Sequence, residues 1–145
     1  MTDISLTTTR TISAPAEQLY TAWITPESMA RFFCNCDGAA AAGVTSDARV
    51  GGKFFIPMPT PGGIVDHAGE YLELKPHEKI VFTWNSKHVN EGTTVTLTFK
   101  PVEGGTEITL THVKFSDEGT RNGHLKGWTA ILDAFEASQV AEPAA

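Results

Sequence analysis

The clearest pattern in the chain is an alternation of period two past its middle. Between Thr93 and Lys100, Val95, Leu97 and Phe99 alternate with Thr94, Thr96 and Thr98. Glu103-Gly104-Gly105 turns the chain, and Ile108, Leu110 and His112 then alternate with Thr109, Thr111 and Val113. The two runs predict a β-hairpin with one apolar face and one threonine face suited to water. Upstream, Ile64 to Leu74 and Ile80 to Trp84 read as strands separated by a turn at Lys75-Pro76-His77-Glu78, and a further turn is expected at Val89-Asn90-Glu91-Gly92. Val44 to Val50 and Lys53 to Ile56 read as strands joined at Gly51-Gly52. Pro57 to Gly63 is expected to be a loop, because Pro57, Pro59 and Pro61 have no N–H to give to a ladder.

Elsewhere the period is helical. Ser5 to Ser13 is an expected strand, and Ala14-Pro15-Ala16-Glu17 after it reads as a helix start. Leu19, Tyr20, Trp23 and Ile24 form the apolar face of that helix. Thr25-Pro26-Glu27 ends it and opens a second short helix, to about Phe33, with Thr25 as its cap. Near the C-terminus, Leu125, Trp128, Ile131, Leu132 and Phe135 make an apolar stripe on a long helix expected from Asp117 to Val140. Cys34 to Gly43, with four consecutive alanines, supports no element, and Ala141 to Ala145 is expected to fray.

The order is strand, two short helices, five or six antiparallel strands, then one long amphipathic helix. This is an α+β arrangement in which only the long helix is large enough to cover the sheet. A twisted sheet of this many strands curls, so the helix meets it well along the middle and poorly toward an end. Large side chains or a ligand must fill the gap.

Composition narrows the setting. At 145 residues, 41% hydrophobic and 19% charged, the chain is expected to be one globular domain, with a core over about residues 5 to 140. Its longest apolar stretch, Ala39 to Val44, is far short of the ~20 residues that cross a bilayer. The first residues carry no leader-like pattern, so a cytoplasmic location is expected. Seventeen acids against eleven bases give a net charge of −6, which argues against nucleic acid and anionic membranes as partners.

The two cysteines, Cys34 and Cys36, are spaced C-x-C, too few for a disulfide framework. A zinc site would need two more ligands, and His67, His77, His88, His112 and His124 show no matching spacing. No metal and no cofactor are expected. Nucleophile-elbow, zincin, phosphate-loop and dinucleotide motifs are also missing, so catalysis has no positive support in the sequence.

Several stretches together resemble a known family. Arg10 to Glu17 followed by Ala22-Trp23-Ile24-Thr25 resembles the opening of START-like (SRPBCC) domains. Asp47-Ala48-Arg49-Val50-Gly51-Gly52-Lys53-Phe54 resembles a stretch of one branch, the bacterial relatives of the activator of the 90-kilodalton heat-shock protein ATPase. Gly69 to Leu74 with Pro76, Ile80 to Trp84, Gly105 to His112, and Gly127-Trp128 with Leu132 resemble later parts of that branch. The resemblance implies a helix-grip fold, a curved antiparallel sheet wrapped around a C-terminal helix with a cavity between them. It does not imply an activity, since bacterial members are mostly of unassigned function. The eukaryotic activator also carries an N-terminal chaperone-binding domain, for which this chain has no expected counterpart. Arg31-Phe32-Phe33 stands where the family has an Arg-Trp pair.

Candidate site residues follow from strand parity. Glu70 shares parity with Leu72 and Leu74, so it is a candidate pocket carboxylate. His112 shares parity with Ile108 and Leu110 and is a candidate inward-facing histidine. Phe54, Tyr71, Phe82, Trp84, Phe99 and Trp128 are the expected aromatic lining. His67 and Asp66 point to opposite faces and are not a pair. Arg49 is expected to be a structural ion-pair partner rather than an anion clamp, and Gly51-Gly52 to serve a tight turn or close approach.

The expected function is binding of a small apolar or amphipathic molecule between sheet and helix, with no catalytic residue assigned. A protein-interaction module associated with a chaperone is one alternative, and an enzyme using Glu70 or His112 as acid/base is another. The chain is expected to be a monomer or a homodimer.

Overall fold

The computed structural model describes residues 4–34, 44–60, 63–86 and 93–139. Among the described residues, seven strands and three helices follow in the order β1 (Ile4–Ile12), α1 (Ala16–Ile24), α2 (Pro26–Cys34), β2 (Thr45–Ser46), β3 (Lys53–Thr60), β4 (Gly63–Lys75), β5 (Lys79–Thr83), β6 (Thr94–Val102), β7 (Gly105–Phe115) and α3 (Glu118–Gln139). The strands form one antiparallel sheet in the order β1-β7-β6-β5-β4-β3-β2. Its concave side is covered by α3, with α2 wedged between α3 and β3. This is the expected α+β, helix-grip arrangement, with its two short helices after the first strand.

Threonine and apolar side chains divide between the faces as the alternation predicts. Val95, Leu97, Phe99, Ile108 and Leu110 are buried. Thr7 and Thr9 of β1 meet Thr111 and Thr109 of β7 through hydroxyl contacts on the exposed face. The curl of the sheet is concentrated in β4. Its first half pairs with β3, its second half with β5, and the register shifts between Tyr71 and Glu73. At the crossing lies Gly69, where a Cβ would stand 1.9 Å from the Thr83 carbonyl oxygen and 2.5 Å from the Phe54 ring. Only glycine lets the backbones approach this closely.

Several expectations change. The Val44 to Val50 strand shrinks to Thr45–Ser46, followed by a turn. The loop expected from Pro57 to Gly63 is largely strand, with Pro57 opposite Asp66 and Pro59 opposite Ile64. The Lys53 carbonyl accepts from the Asp47 amide at 3.0 Å, so the odd-numbered residues of β3 turn their backbone groups toward β2. Pro57 and Pro59 therefore turn their missing N–H away from β4, and neither costs a β3–β4 ladder bond. Leu125 lies outside the buried stripe of α3, which consists of Trp128, Ile131, Leu132 and Phe135. The expectations for the alanine-rich segment, for Cys36, for the turn at Val89 to Gly92, for Val140 and for the C-terminal tail fall outside the described residues.

The helix ends follow local chemistry. Asp117 caps α3 by accepting from the Thr120 amide at 2.7 Å and its hydroxyl at 2.9 Å. These bonds, the backbone one foremost, hold the Asp117 carboxyl below its ordinary range. Thr25 does not cap α2 as expected. Its hydroxyl donates back to the Thr21 carbonyl at 2.6 Å and closes α1 instead. None of the described helices is long and apolar enough to cross a membrane.

Candidate functional site

A mostly apolar cavity lies where the curled sheet diverges from the N-terminal half of α3. Its volume is about 340 Å³. From β4 it takes Val65 and His67, and from the end of β5 it takes Trp84 and Ser86. Thr120, Gly123, His124, Gly127, Trp128 and Ile131 of α3 form the opposite wall. Val65, Trp84, Trp128 and Ile131 are buried and make an apolar floor. His67, Ser86, Thr120 and His124 are half-buried and make a polar rim.

Ring contacts hold the floor in place. Trp84 packs against Trp128 with ring centroids 4.8 Å apart, and His67 lies tilted on Trp84 at 4.9 Å. His67 Nδ1 donates to the Val65 carbonyl at 3.0 Å, and His124 Nδ1 donates to the Thr120 carbonyl at 2.9 Å. A carbonyl can only accept, so Nδ1 carries the proton in both rings.

Of the residues expected to line the cavity, Trp84 and Trp128 do so. Phe54, Tyr71 and Phe82 instead close on Trp23, Met29 and Phe33 around a gap with no room for a water molecule. They are filled core. The Tyr71 hydroxyl meets the Ser46 hydroxyl at 2.7 Å, and burial pushes its phenol up to about 12. Phe99 is buried under α1, edge-on to Tyr20 at 5.9 Å.

Glu70 also lies apart from the cavity. The bulge between Tyr71 and Glu73 changes the strand parity, so Gly69 and Tyr71 face the core while Glu70 is half-buried on the other face. Parity counted back from Leu72 and Leu74 therefore gave the wrong side, and Leu72 itself is 44% exposed.

His112 faces inward but is sealed behind Trp128. The Trp128 indole N–H donates to His112 Nδ1 at 3.1 Å, which places the imidazole proton on Nε2. Burial, with a smaller contribution from nearby His124, lowers the His112 pKa to about 3. Neither His112 Nε2 nor Trp84 Nε1 has a hydrogen-bond partner among the described residues.

The remaining candidates are structural. Arg49 is exposed and pairs with Asp47 at 2.8 Å. Gly52 sits where a Cβ would lie 2.0 Å from the Asp47 carbonyl oxygen, the close approach expected of it. The described residues contain no group of three or more His, Cys, Asp or Glu side chains placed to hold a metal ion. Sequence reasoning missed most of the cavity wall. Its one readable signal was Gly123 and Gly127, two glycines a single turn apart inside an otherwise regular helix.

Comparison with known proteins gives the same architecture. A protein from Rhizobium leguminosarum shares 23% identity, with 97% of each chain covered and a TM-score of 0.80. A protein from Chromobacterium violaceum shares 24%, covering 95% of this chain and 98% of its own, with a TM-score of 0.75. An HSP90 activator from Plasmodium falciparum shares 27%, covering 93% and 95%, with a TM-score of 0.73. No curated protein matches the chain. The family model described as activator of Hsp90 ATPase homolog 1-like protein matches residues 13–138, and the chain belongs to that family.

Proposed function

We propose that this chain is a binding domain for a small apolar or amphipathic molecule held between the sheet and α3. The observation that carries the reading is the cavity itself. Its volume of about 340 Å³ lies within the roughly 300–1,000 Å³ of small-molecule sites. Its buried floor is apolar and its few polar groups stand at the rim, an arrangement that binds by hydrophobic burial and orients by hydrogen bonds. Each ligand methylene moved from water onto that floor would contribute about 0.8 kcal/mol. The acid/base alternative finds less support, because neither Glu70 nor His112 borders the cavity.

The test is native mass spectrometry of freshly purified protein, followed by denaturing extraction and exposure of the apo form to neutral amphipathic compounds. An added mass that extracts as a small apolar compound, or a saturable mass shift with an added one, is expected. A clean apo mass together with no saturable shift across the panel would overturn the reading.

A second reading has its own observation. The relative from Plasmodium falciparum is an HSP90 activator, 27% identical over most of both chains. A protein-interaction role beside a chaperone ATPase follows from that likeness. It predicts that the purified chain raises the ATPase rate of an Hsp90-type chaperone. An unchanged rate, with no co-purification in the presence of nucleotide, would count against it.

A further inference from the structure

The helix wall of the cavity is bare. Gly123 and Gly127 lie one turn apart on α3, both bordering the cavity, with His124 and Trp128 beside them. A glycine inside a helix weakens it relative to alanine. Glycine is usually retained there because a neighbour leaves no space for a Cβ. Among the described residues no such neighbour stands at these two positions, where a Cβ at either would meet nothing within 4 Å. Packing among the described residues does not require them, and the space their missing side chains leave borders the cavity.

The rest of the wall shows what could occupy that space. The floor of Val65, Trp84, Trp128 and Ile131 is apolar and buried. The described lining contains no Asp, Glu, Lys or Arg. A ligand charge brought onto this floor would lose its hydration with no countercharge among those residues.

Resting on the binding reading above, we infer that the cavity takes an uncharged amphipathic molecule lying along the bare backbone of α3 at Gly123 and Gly127. Its apolar end rests on Trp84, Trp128 and Ile131, and its polar end meets the rim at Ser86, Thr120 and His124. Gly123 and Gly127 are the residues that set how thick a ligand the site admits.

The test uses the full chain and two dyes of nearly the same shape, neutral N-phenylnaphthylamine and anionic anilinonaphthalenesulfonate. Binding is read by fluorescence titration at mildly alkaline pH, where histidine is ordinarily neutral. The neutral dye is expected to bind at least about tenfold more tightly than the anionic one. Gly127→Leu is expected to weaken the neutral dye at least about tenfold by filling the cavity. It should leave the melting temperature unchanged or raised, because leucine is the better helix former. Ala130→Leu, which adds bulk on an exposed part of α3 away from the cavity, should leave affinity within about twofold of wild type. Gly127→Ala adds only a methyl group and decides the matter if the leucine variant melts early. A loss of at least about threefold is expected from it, and an unchanged affinity overturns the inference.

The outcomes separate the two proposals. No saturable binding of the neutral dye to wild type removes this inference, and a clean apo mass with no shift across the panel removes the binding reading as well. Binding to wild type that is indifferent to Gly127→Leu removes only the inference. Equal affinity for both dyes removes the claim that the ligand is uncharged.

Discussion

The two ends of the space between sheet and helix are built from similar side chains and come out differently. At one end, α2 pushes Phe32 and Phe33 between α3 and the sheet. There they meet Trp23 at 4.8 and 5.3 Å, and Phe32 meets Phe135 at 4.7 Å. The gap left beside them has no room for a water molecule. At the other end none of the described helices intervenes, α3 presents Gly123 and Gly127, and a cavity of about 340 Å³ remains. Aromatic content does not distinguish the two, since Trp84 and Trp128 wall the open end as Trp23 and Phe82 wall the closed one. Among the described residues, what differs is whether a third element supplies side chains to the gap. An aromatic residue in this fold is therefore core or lining according to what lies opposite it.

The largest effect expected from this contrast is at the closed end. Trp23→Ala removes a 2% exposed ring with aromatic neighbours on several sides, and should cost about 3–5 kcal/mol in a denaturant melt. A loss below about 1 kcal/mol would mean that the closed end is not close-packed.

Next in size is a pH effect at the boundary between the ends. The His112 pKa is about 3 in the folded protein, against an ordinary value of 6.5. Above pH 6.5 the ring is neutral in both states and carries no penalty. As the pH falls below 6.5, the unfolded chain takes up a proton that the folded one does not. Stability then drops by about 1.4 kcal/mol per pH unit, until the pH reaches the folded value near 3. His112→Gln keeps an acceptor for the Trp128 indole but cannot titrate. Between pH 7 and pH 5 the variant should lose about 2 kcal/mol less than wild type. Parallel pH profiles for the two proteins would show that His112 is protonated in the fold.

Much of this architecture was legible from period alone. The β6–β7 hairpin and the threonine face follow from strict alternation, and α1, α2 and α3 from helical spacing and Pro15, Pro26 and Asp117. The errors share a physical origin. Glu70 was misplaced because a bulge two residues on flips the parity, and a bulge leaves no composition signature. Pro57 and Pro59 read as loop because nothing local says that their backbone groups face away from β4. The cavity was hardest, because it is assembled from β4, the end of β5 and α3. His67 and His124 lie on separate elements, and no spacing along the chain announces that both reach one rim.

A smaller effect is expected at the open end. Ile131 is 8% exposed and already borders empty space. Ile131→Ala leaves less new void than the same change in close packing, where the cost is about 2–5 kcal/mol, so about 1–2 kcal/mol is expected here. A loss near the upper figure, measured in the same melt as Trp23→Ala, would mean that the cavity collapses onto its own walls in solution.

The smallest effect concerns how α3 is fastened along its length. Its C-terminal half is held to β1 by Arg10, which pairs with Asp133 and, at 3.3 Å, with Glu136. Its N-terminal half is held by Arg121, which donates to the Ser5 carbonyl at 3.1 Å. The Arg10 partners are 65% and 39% exposed, so the pair is screened and worth little. Arg10→Ala should cost about 0.5 kcal/mol at low salt, falling toward zero near 1 M salt, where the screening length shrinks to about 3 Å. Because the fastening belongs to the closed end, affinity for the neutral dye should stay within about twofold of wild type. A larger drop would mean that the cavity depends on how the far half of α3 is seated. The two ends would then be one coupled unit rather than a packed region and an independent site.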